Sequence, residues 1–313
     1  MNDKQKNIQN CLFNKGFLPA DKESHLVIKN FNSDNMLFEL TACLIVTWSG
    51  EYNILYKCLN GFLCIANFYP DGDFSFYIIR PMENHELQSI VDILYEISLE
   101  AGLEALPIWN IEERFLKDYR YLIGYNIETA YNEDFSEYVY NKDNFIDLAG
   151  RKNKEKRYLI KKFLDKPNVS IQKMTKNNIY LCMDIENSWC SKQNCDLCRS
   201  FAGCSKNTLK IMLDIFDDYM YKGILGYIDD IPVSYIIFEK TSKDIAYFHI
   251  AKTIVPDFSV FIYYIAAKNY LNDVKKINTG ADLGKEGLRF FKKRLGKYEL
   301  QTKYLCSFKR RIK

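Results

Sequence analysis

The sequence contains few of the residues on which hydrolytic and metal sites commonly depend. Its 313 residues include only three histidines, His25, His85 and His249, which offer no spaced metal pair. It has no Gly-x-Ser-x-Gly motif, which excludes the nucleophile elbow of α/β-hydrolases. No apolar run reaches about 18 residues, and the first residues lack the apolar segment of a signal peptide. We therefore expect a cytoplasmic protein whose contact with a membrane, if it has one, is peripheral.

The ten cysteines are expected to be reduced thiols in such a protein. Six of them lie in apolar or alternating segments and are expected in the core. The other four, Cys190, Cys195, Cys198 and Cys204, are close enough in sequence to hold one zinc ion or iron–sulfur cluster. A single Cys-x-x-Cys lacks the second pair of a zinc ribbon, so reduced loop thiols and a redox pair are the alternatives. No other cofactor is expected to be required.

Positive charge is concentrated in two segments, although the net charge of the chain is only +3. Residues 285–313 contain eleven Lys or Arg against two Glu, and residues 151–166 contain eight bases against two acids. Two basic segments in one half of the chain favour a polyanionic partner, either tRNA or an anionic lipid surface. The alternative is that each segment is a solvated helix face.

The pattern of apolar residues predicts the same order of elements twice, and the length favours two domains. Asp34 to Val46 predicts a helix in the first half, and Asn60-Gly61 predicts the turn of a hairpin. Strands that flank Asp229-Asp230 predict a second hairpin in the other half. Each antiparallel meander is followed by a helix, a strand, a helix and a final strand.

This order of elements is that of the GNAT acyltransferase fold. The sequence therefore predicts an α+β protein with two GNAT-like domains in tandem, each a mixed, mainly antiparallel sheet flanked by helices. We place the domains at residues 1–137 and 138–313, with the candidate site in the second.

The segment from Ile277 to Arg289 sets an acid, glycines and an arginine where a strand ends and a basic helix begins. We expect Asp282 to hold or orient an amine, and Arg289 to bind a phosphate or a developing oxyanion through its fork of donors. Gly284 and Gly287 would let backbone amides approach an anion at the helix start. The alternatives are that Asp282 is a helix cap and that Arg289 forms a structural ion pair.

Several segments resemble one known family, and they occur in its order and spacing. They are Glu137–Tyr140, Leu148–Lys152, Lys156–Phe163, Trp189, Asn278, Asp282–Gly284 with Gly287–Arg289, and Lys303-Tyr304. The chain resembles the phosphatidylglycerol lysyltransferase C-terminal-like family over nearly its whole length. The resemblance implies a tandem GNAT-like fold related to aminoacyl-tRNA-dependent transferases that modify lipids or peptidoglycan precursors.

The chain departs from the family pattern at two places. Family members commonly carry an acid before the Asp-Leu-Gly step, where this chain has Gly280-Ala281. They also carry an acid beside the lysine after His249, where this chain has Ala251. The acids that would bind a cationic amino acid or move a proton are replaced, and His249 is expected to be a packed or hydrogen-bonded residue on a strand.

The function predicted from these features is aminoacyl transfer from charged tRNA to a lipid or other small acceptor. The alternatives are an acyl-CoA-dependent N-acyltransferase and a non-catalytic binding protein on the same fold. Pro81–Asn84 and Pro256–Ser259 disfavour acyl-CoA, because they stand where a glycine-rich turn would cradle a pyrophosphate.

The candidate residues fall into three groups. Asp282 and Arg289 are the catalytic candidates. The candidates for substrate binding are Asn278, Gly284, Gly287, Lys252 and Tyr304. The candidates for nucleic-acid contact are Lys152, Lys156, Arg157, Lys161, Lys285, Lys292 and Lys293.

Overall fold

The computed structural model describes residues 1–31, 37–80, 86–192, 205–216, 221–241 and 244–311. It divides into two compact units. The first comprises residues 1–136 together with 301–313, and the second comprises residues 137–300. Each unit contains one seven-stranded sheet.

The first unit begins with an N-terminal helix and then follows the predicted meander, helix, strand and helix. Its elements are α1 (Asp3–Asn14), β1 (Leu18–Pro19), α2 (His25–Asn30), α3 (Ala42–Tyr52), β2 (Leu55–Leu59), β3 (Phe62–Phe68), β4 (Phe74–Ile79), α4 (Leu87–Glu100), β5 (Leu106–Glu112), α5 (Glu113–Arg120) and β6 (Tyr125–Ala130).

The second unit repeats this order after an initial strand and two helices. Its elements are β7 (Glu137–Asn141), α6 (Lys142–Ile146), α7 (Lys154–Leu164), β8 (Val169–Lys173), α8 (Leu181–Lys192), α9 (Ser205–Asp214), β9 (Lys222–Ile228), β10 (Ile231–Lys240), β11 (Ile245–Thr253), α10 (Phe258–Ile265), β12 (Lys276–Ala281), α11 (Glu286–Leu295) and β13 (Tyr298–Gln301).

The last strand, β14 (Lys303–Arg310), joins the sheet of the first unit. That sheet has the order β1-β2-β3-β4-β5-β14-β6, and the second has the order β13-β7-β12-β11-β10-β9-β8. β14 is antiparallel to β5 on one edge and to β6 on the other, so it satisfies two strand edges at once. The predicted second domain, 138–313, is therefore corrected: residues 301–313 belong to the first unit.

The predicted hairpins are confirmed. Asn60 and Gly61 have φ values of 46° and 81°, and Asp229 and Asp230 have φ values of 50° and 59°. Two consecutive residues with positive φ form the tight turn whose twist matches that of the flanking strands. The turns join β2 to β3 and β9 to β10 in antiparallel register. The α+β class with mixed, mainly antiparallel sheets is likewise confirmed.

The helix predicted from Asp34 to Val46 was misplaced. Residues 32–36 lie outside the described part of the chain, and α3 begins only at Ala42. Thr41 caps it, since its Oγ1 accepts a hydrogen bond from the amide of Leu44 at 3.4 Å. The helix then continues beyond the predicted end at Val46 to Tyr52.

Each sheet contains one parallel pair of strands that stays hydrogen-bonded only briefly. β4 pairs with β5 at Phe76 and Ile108, and β11 pairs with β12 from Ile245 to Tyr247. Beyond these residues the two strands of each pair separate. We call the separation of β11 and β12 the splay of the second unit.

Close packing of β9 against α10 explains why a glycine stands at position 226, and it gives a test of the fold. A Cβ atom on Gly226 would lie 2.4 Å and 2.8 Å from two ring atoms of Phe258. Gly226→Ala should therefore lower the free energy of unfolding by about 1–3 kcal/mol, as overpacking does elsewhere. Urea denaturation measures this. Gly287→Ala, whose Cβ meets nothing within 4 Å, is the control and should cause no loss.

Candidate functional site

The carboxylate of Asp282 lies at the centre of the junction between β12 and α11. It accepts two hydrogen bonds from Arg289, from Nε at 2.8 Å and from Nη2 at 3.0 Å. It also accepts one from the hydroxyl of Tyr138 at 2.7 Å and one from the amide of Gly284 at 2.9 Å. Asp282 is only 2% exposed, so this carboxylate is buried and held by charge-assisted bonds.

The titration of Asp282 follows from these contacts. Burial alone would raise the pKa of its carboxyl, but the hydrogen bonds from Arg289, Tyr138 and Gly284 and the charge of Arg289 outweigh burial and lower it. Burial and the bond to Asp282 raise the pKa of Tyr138, which keeps its hydroxyl a donor. In this arrangement Asp282 stays ionised and positions Arg289, and a contact of Asp282 with the amine of a substrate stays a prediction. The side chain of Arg289 is 36% exposed.

The backbone of the junction takes an unusual path. Leu283 and Gly284 have φ values of 55° and 69°, so two consecutive residues are left-handed. A leucine in this region costs on the order of 1 kcal/mol relative to its ordinary conformation. Such strain is often kept where a site needs a particular geometry. Gly287 follows in the first turn of α11, exposed and with open space around its Cα.

Asn278 shapes the strand and does not reach solvent. Its amide donates to Glu137 Oε2 at 2.7 Å, and its carbonyl oxygen accepts from the amide of Gly280 at 2.8 Å. Both Asn278 and Glu137 are fully buried. The ladder between β12 and β7 shifts register at this point, and Gly280 has a φ of 72°. Asn278 therefore has a structural role, in place of the expected contact with substrate. Glu137 is a buried acid that was not among the sequence candidates.

Lys292 points inward, which corrects its assignment to nucleic-acid contact. It is 4% exposed, and its ammonium donates to the carbonyl oxygens of Thr279 and Gly280, the latter at 2.8 Å. It also lies 5.5 Å from the centroid of the Tyr138 ring. Lys292 therefore ties α11 to the bulged end of β12.

Lys156 and Arg157 also bind the protein itself. Lys156 is 6% exposed and donates to the carbonyl oxygens of Phe145 at 2.6 Å and Leu295 at 3.2 Å. Burial lowers the pKa of its ammonium to about 8. Arg157 donates to the carbonyls of Leu148 and Gly150 and so holds the loop before α7. Lys156 is thus excluded as a surface contact for phosphate, and Arg157 is committed to that loop.

The other predicted bases are exposed. Lys152, Lys161, Lys285 and Lys293 all face solvent. Arg294 of α11 pairs with Glu155 of α7 at 2.8 Å, which brings the start of α7 beside the end of α11. Lys152 precedes α7, Lys293 lies beside Arg294 on α11, and Lys285 adjoins the junction. We call these four lysines the basic surface.

Lys252 lies in a buried polar cluster at the splay. Its ammonium is 3.5 Å from the centroid of the Trp189 ring and 3.9 Å from Glu186 Oε1. Glu186 is fully buried and accepts a hydrogen bond from the hydroxyl of Tyr235 at 2.7 Å. Glu186 and Tyr235 were not found by sequence reasoning. The signal was available on α8, where Cys182, Ile185, Glu186 and Trp189 follow the spacing of one helix face.

His249 is a packed residue, as expected. Its Nε2 lies 3.0 Å from Glu239 Oε2, and both side chains are buried. Its ring stacks on that of Tyr247 at a centroid distance of 6.3 Å.

Two further candidates stand apart from the junction. Tyr304 lies on β14 of the first unit, with its ring 5.7 Å from that of Tyr131, which corrects its placement in the second domain. Cys190 is half-buried at the end of α8. Cys195, Cys198 and Cys204 lie outside the described residues, so the four-cysteine site stays a prediction.

The separated strands of the two units carry different side chains. In the first unit Trp109 follows the last paired residue, and Tyr69 contacts its ring at 4.9 Å while hydrogen-bonding Tyr77. In the second unit the equivalent position is Thr279. Asn110 and Gly280, the next residues, both have positive φ, which supports the equivalence. The position after the last paired residue is therefore a large ring in the first unit and a small side chain in the second.

The start of α10 is acidic. Asp257 precedes it with a φ of 67°, and its carboxylate accepts a hydrogen bond from Lys162 at 2.9 Å. This carboxylate makes no hydrogen bond to the helix amides, but it places a negative charge beside the helix N-terminus, where a phosphate would bind. This disfavours a pyrophosphate cradle in the second unit.

The Asp282 contacts predict a pH-dependent contribution to stability. Because the pKa is lowered on folding, the contribution is full above the unfolded-state value of about 3.9 and is lost as the pH falls through the folded-state value. Asp282→Asn should lower the free energy of unfolding by about 1–3 kcal/mol at neutral pH and by much less in acid. Urea denaturation of the unmodified protein and of Asp282→Asn, at neutral pH and in acid, measures the difference.

Asp244→Asn is the control, because Asp244 and Lys275 form an exposed pair and its loss should have no measurable effect. An equal loss for Asp282→Asn at both pH values would contradict the assigned ionisation.

Comparison with solved structures finds the same fold in proteins of low sequence identity. A conserved protein of unknown function from Bacteroides thetaiotaomicron VPI-5482 is 20% identical with a TM-score of 0.86, covering 94% of this chain and 99% of that one. L-PGS from Bacillus licheniformis is 12% identical with a TM-score of 0.64, covering 92% and 91%. FemX is 12% identical with a TM-score of 0.61, covering 91% and 95%.

Comparison with curated proteins gives no match. Among the described residues, no helix combines the length and apolar character needed to cross a membrane. The family described as phosphatidylglycerol lysyltransferase, C-terminal, matches residues 43–307. With most of its length matched and the tandem fold in place, the chain belongs to that family.

Proposed function

We propose that the second unit transfers an aminoacyl group from charged tRNA to a hydroxyl or amine of a lipid or other small acceptor. The observation that carries the proposal is Arg289, held by a bidentate pair with Asp282 and still 36% exposed, at the end of the splayed strand. Membership of a family described as a phosphatidylglycerol lysyltransferase supports the reaction class.

Aminoacyl transfer requires positive charge near the oxyanion that forms during the reaction and near the phosphates of the tRNA. The nucleophilic oxygen or nitrogen attacks the ester carbonyl carbon, and the carbonyl oxygen becomes an oxyanion until the carbon–oxygen bond to the tRNA ribose breaks. The acceptor loses one proton and the released ribose hydroxyl gains one. Arg289 suits either the oxyanion or a phosphate near the 3′ end, because its fork is pre-oriented by Asp282.

A tRNA donor fits the charge distribution of the second unit better than acyl-CoA does. Exposed Lys152, Lys161, Lys285 and Lys293 lie on or just before α7 and α11, and such spacing suits contacts to a long phosphate backbone. Acyl-CoA would instead place its pyrophosphate at the start of α10, where Asp257 lies.

Arg289 provides the first test. Arg289→Ala should weaken tRNA binding in a gel-shift assay by about 5- to 150-fold, equivalent to about 1–3 kcal/mol, because charge-assisted bonds to phosphate are lost. Arg289→Lys keeps the charge but not the fork and should be intermediate. Arg120→Ala, an exposed arginine of the first unit, is the control. Unchanged binding by a folded Arg289→Ala protein would remove Arg289 from the site.

The basic surface provides a second test, through salt dependence. Removing Lys285 and Lys293 together should reduce the slope of log K against log salt by about 1.4 to 1.8, since each phosphate contact contributes about 0.7 to 0.9. Lys4→Ala with Lys22→Ala, exposed lysines of the first unit, is the matched control and should leave the slope unchanged.

The reaction itself is tested with radiolabelled aminoacyl-tRNA and anionic vesicles or a soluble amine, with the product identified by mass spectrometry. Failure of tRNA to bind, together with a rise in melting temperature caused by acetyl-CoA, would favour the acyl-CoA alternative. If neither ligand acts, the non-catalytic binding protein is favoured.

A further inference from the structure

A cluster of four side chains on the α8 side of the second sheet is not used by the function proposed above. Glu186 and Trp189 come from adjacent turns of α8, Tyr235 from β10 and Lys252 from β11. Glu186 is fully buried, while Trp189 is half-buried. A buried carboxylate beside an aromatic face is chemistry suited to a cation.

A β-bulge places Lys252 in this cluster. The ladder of β10 and β11 pairs Ile237 with Ile250 and Phe238 with Phe248, so His249 is the extra residue. Because of this extra residue, the side chains that follow it point to the opposite faces of the sheet from those they would otherwise occupy. Ala251 consequently packs on the core beside α10, and Lys252 pairs with Tyr235 and faces α8.

The ammonium of Lys252 shows where a cation is held. It lies 3.5 Å from the Trp189 centroid, well within the range of a cation–π contact. Its distance to Glu186 Oε1 is 3.9 Å, too long for a hydrogen bond. The other carboxylate oxygen accepts from Tyr235, whose pKa is raised well above its ordinary value by burial and by the charge of Glu186. Tyr235 therefore remains a neutral donor that fixes the carboxylate.

We propose that Glu186, Trp189 and Tyr235 form a receptor for a primary ammonium of the aminoacyl group, and that Lys252 is its internal occupant when substrate is absent. This inference rests on the proposed function. It accounts for how a chain with Gly280 and Ala251, where its family commonly has acids, can still bind an amine: α8 supplies the carboxylate.

Lys252 and a substrate ammonium should exchange and not bind together. A second ammonium about 4 Å from the first is repelled by roughly 4 kcal/mol at the effective dielectric near a protein surface, which cancels the similar attraction that it would gain from a carboxylate at the 3.9 Å that separates Lys252 from Glu186. Lys252 has a long flexible stem and is 16% exposed, so it can move towards solvent. Lys252 is then a competitor, and its removal should strengthen binding of an amine.

The test uses three small amides without tRNA, measured by isothermal titration calorimetry on the full chain. Alaninamide carries only an α-ammonium, 6-aminohexanamide only a terminal one, and N-acetylalaninamide neither. At least one amine should bind and the acetylated amide should not, and the comparison of the two amines identifies which ammonium is recognised. Equal binding of the acetylated amide would overturn the proposal.

Variants distinguish two roles for Lys252, an internal occupant of the receptor and a purely structural residue. Lys252→Met should strengthen amine binding on the order of tenfold, whereas Glu186→Gln and Trp189→Leu should weaken it by a similar factor. Lys252→Arg keeps a cation in the cluster and should leave affinity low. Weaker or unchanged binding by Lys252→Met would contradict the exchange.

Lys268→Met is the matched control, since Lys268 lies over the Tyr264 ring at 5.3 Å elsewhere in the same unit. Circular dichroism checks folding. If Lys252→Met does not fold, the Glu186 and Trp189 variants still decide, because unchanged amine binding in both would overturn the receptor. Amine binding without tRNA binding would refute tRNA as the acyl donor and support the ammonium receptor. Binding of tRNA without binding of either amine would refute only the receptor.

Discussion

The carboxylate of Asp282 joins three segments of the second unit, one of which, β7, is far from the other two in sequence. Through Tyr138 it fixes β7, through Arg289 it fixes α11, and through the amide of Gly284 it fixes the left-handed turn between β12 and that helix. A buried charge is stable only when such bonds surround it. Asp282 thus helps to set the direction of Arg289, and with it the geometry of the proposed site.

The fold could be predicted largely because local signals were strong. Asn60-Gly61 and Asp229-Asp230 determine their turns by backbone preference alone, and the order of elements follows from the apolar pattern. The partner of the last strand could not be predicted. The pattern of apolar residues in β14 indicates which side chains are buried, but not which sheet the strand joins. The start of α3 was missed since Thr41, a capping residue, was read as part of a longer helix.

The candidate site was predicted in part. The junction of Asp282 and Arg289 was located from residue types, but counting charge could not show which lysines face inward. Lys292 lies four residues after Leu288 and three before Leu295, which places it on the inner stripe of α11. That spacing was the available signal. Glu186 was missed because acids were sought at the family's strand positions, whereas this carboxylate comes from α8.

The position of β14 has a consequence for how the chain can be divided. β7, from the middle of the sequence, lies within the second sheet, and β14, from its end, lies within the first. A fragment ending near residue 136 would lack an interior strand, and β6 would have no neighbour on that edge. The first sheet is therefore completed only when β14 has been synthesised, after the whole of the second unit. A fusion or split-protein design should therefore keep both segments on one polypeptide.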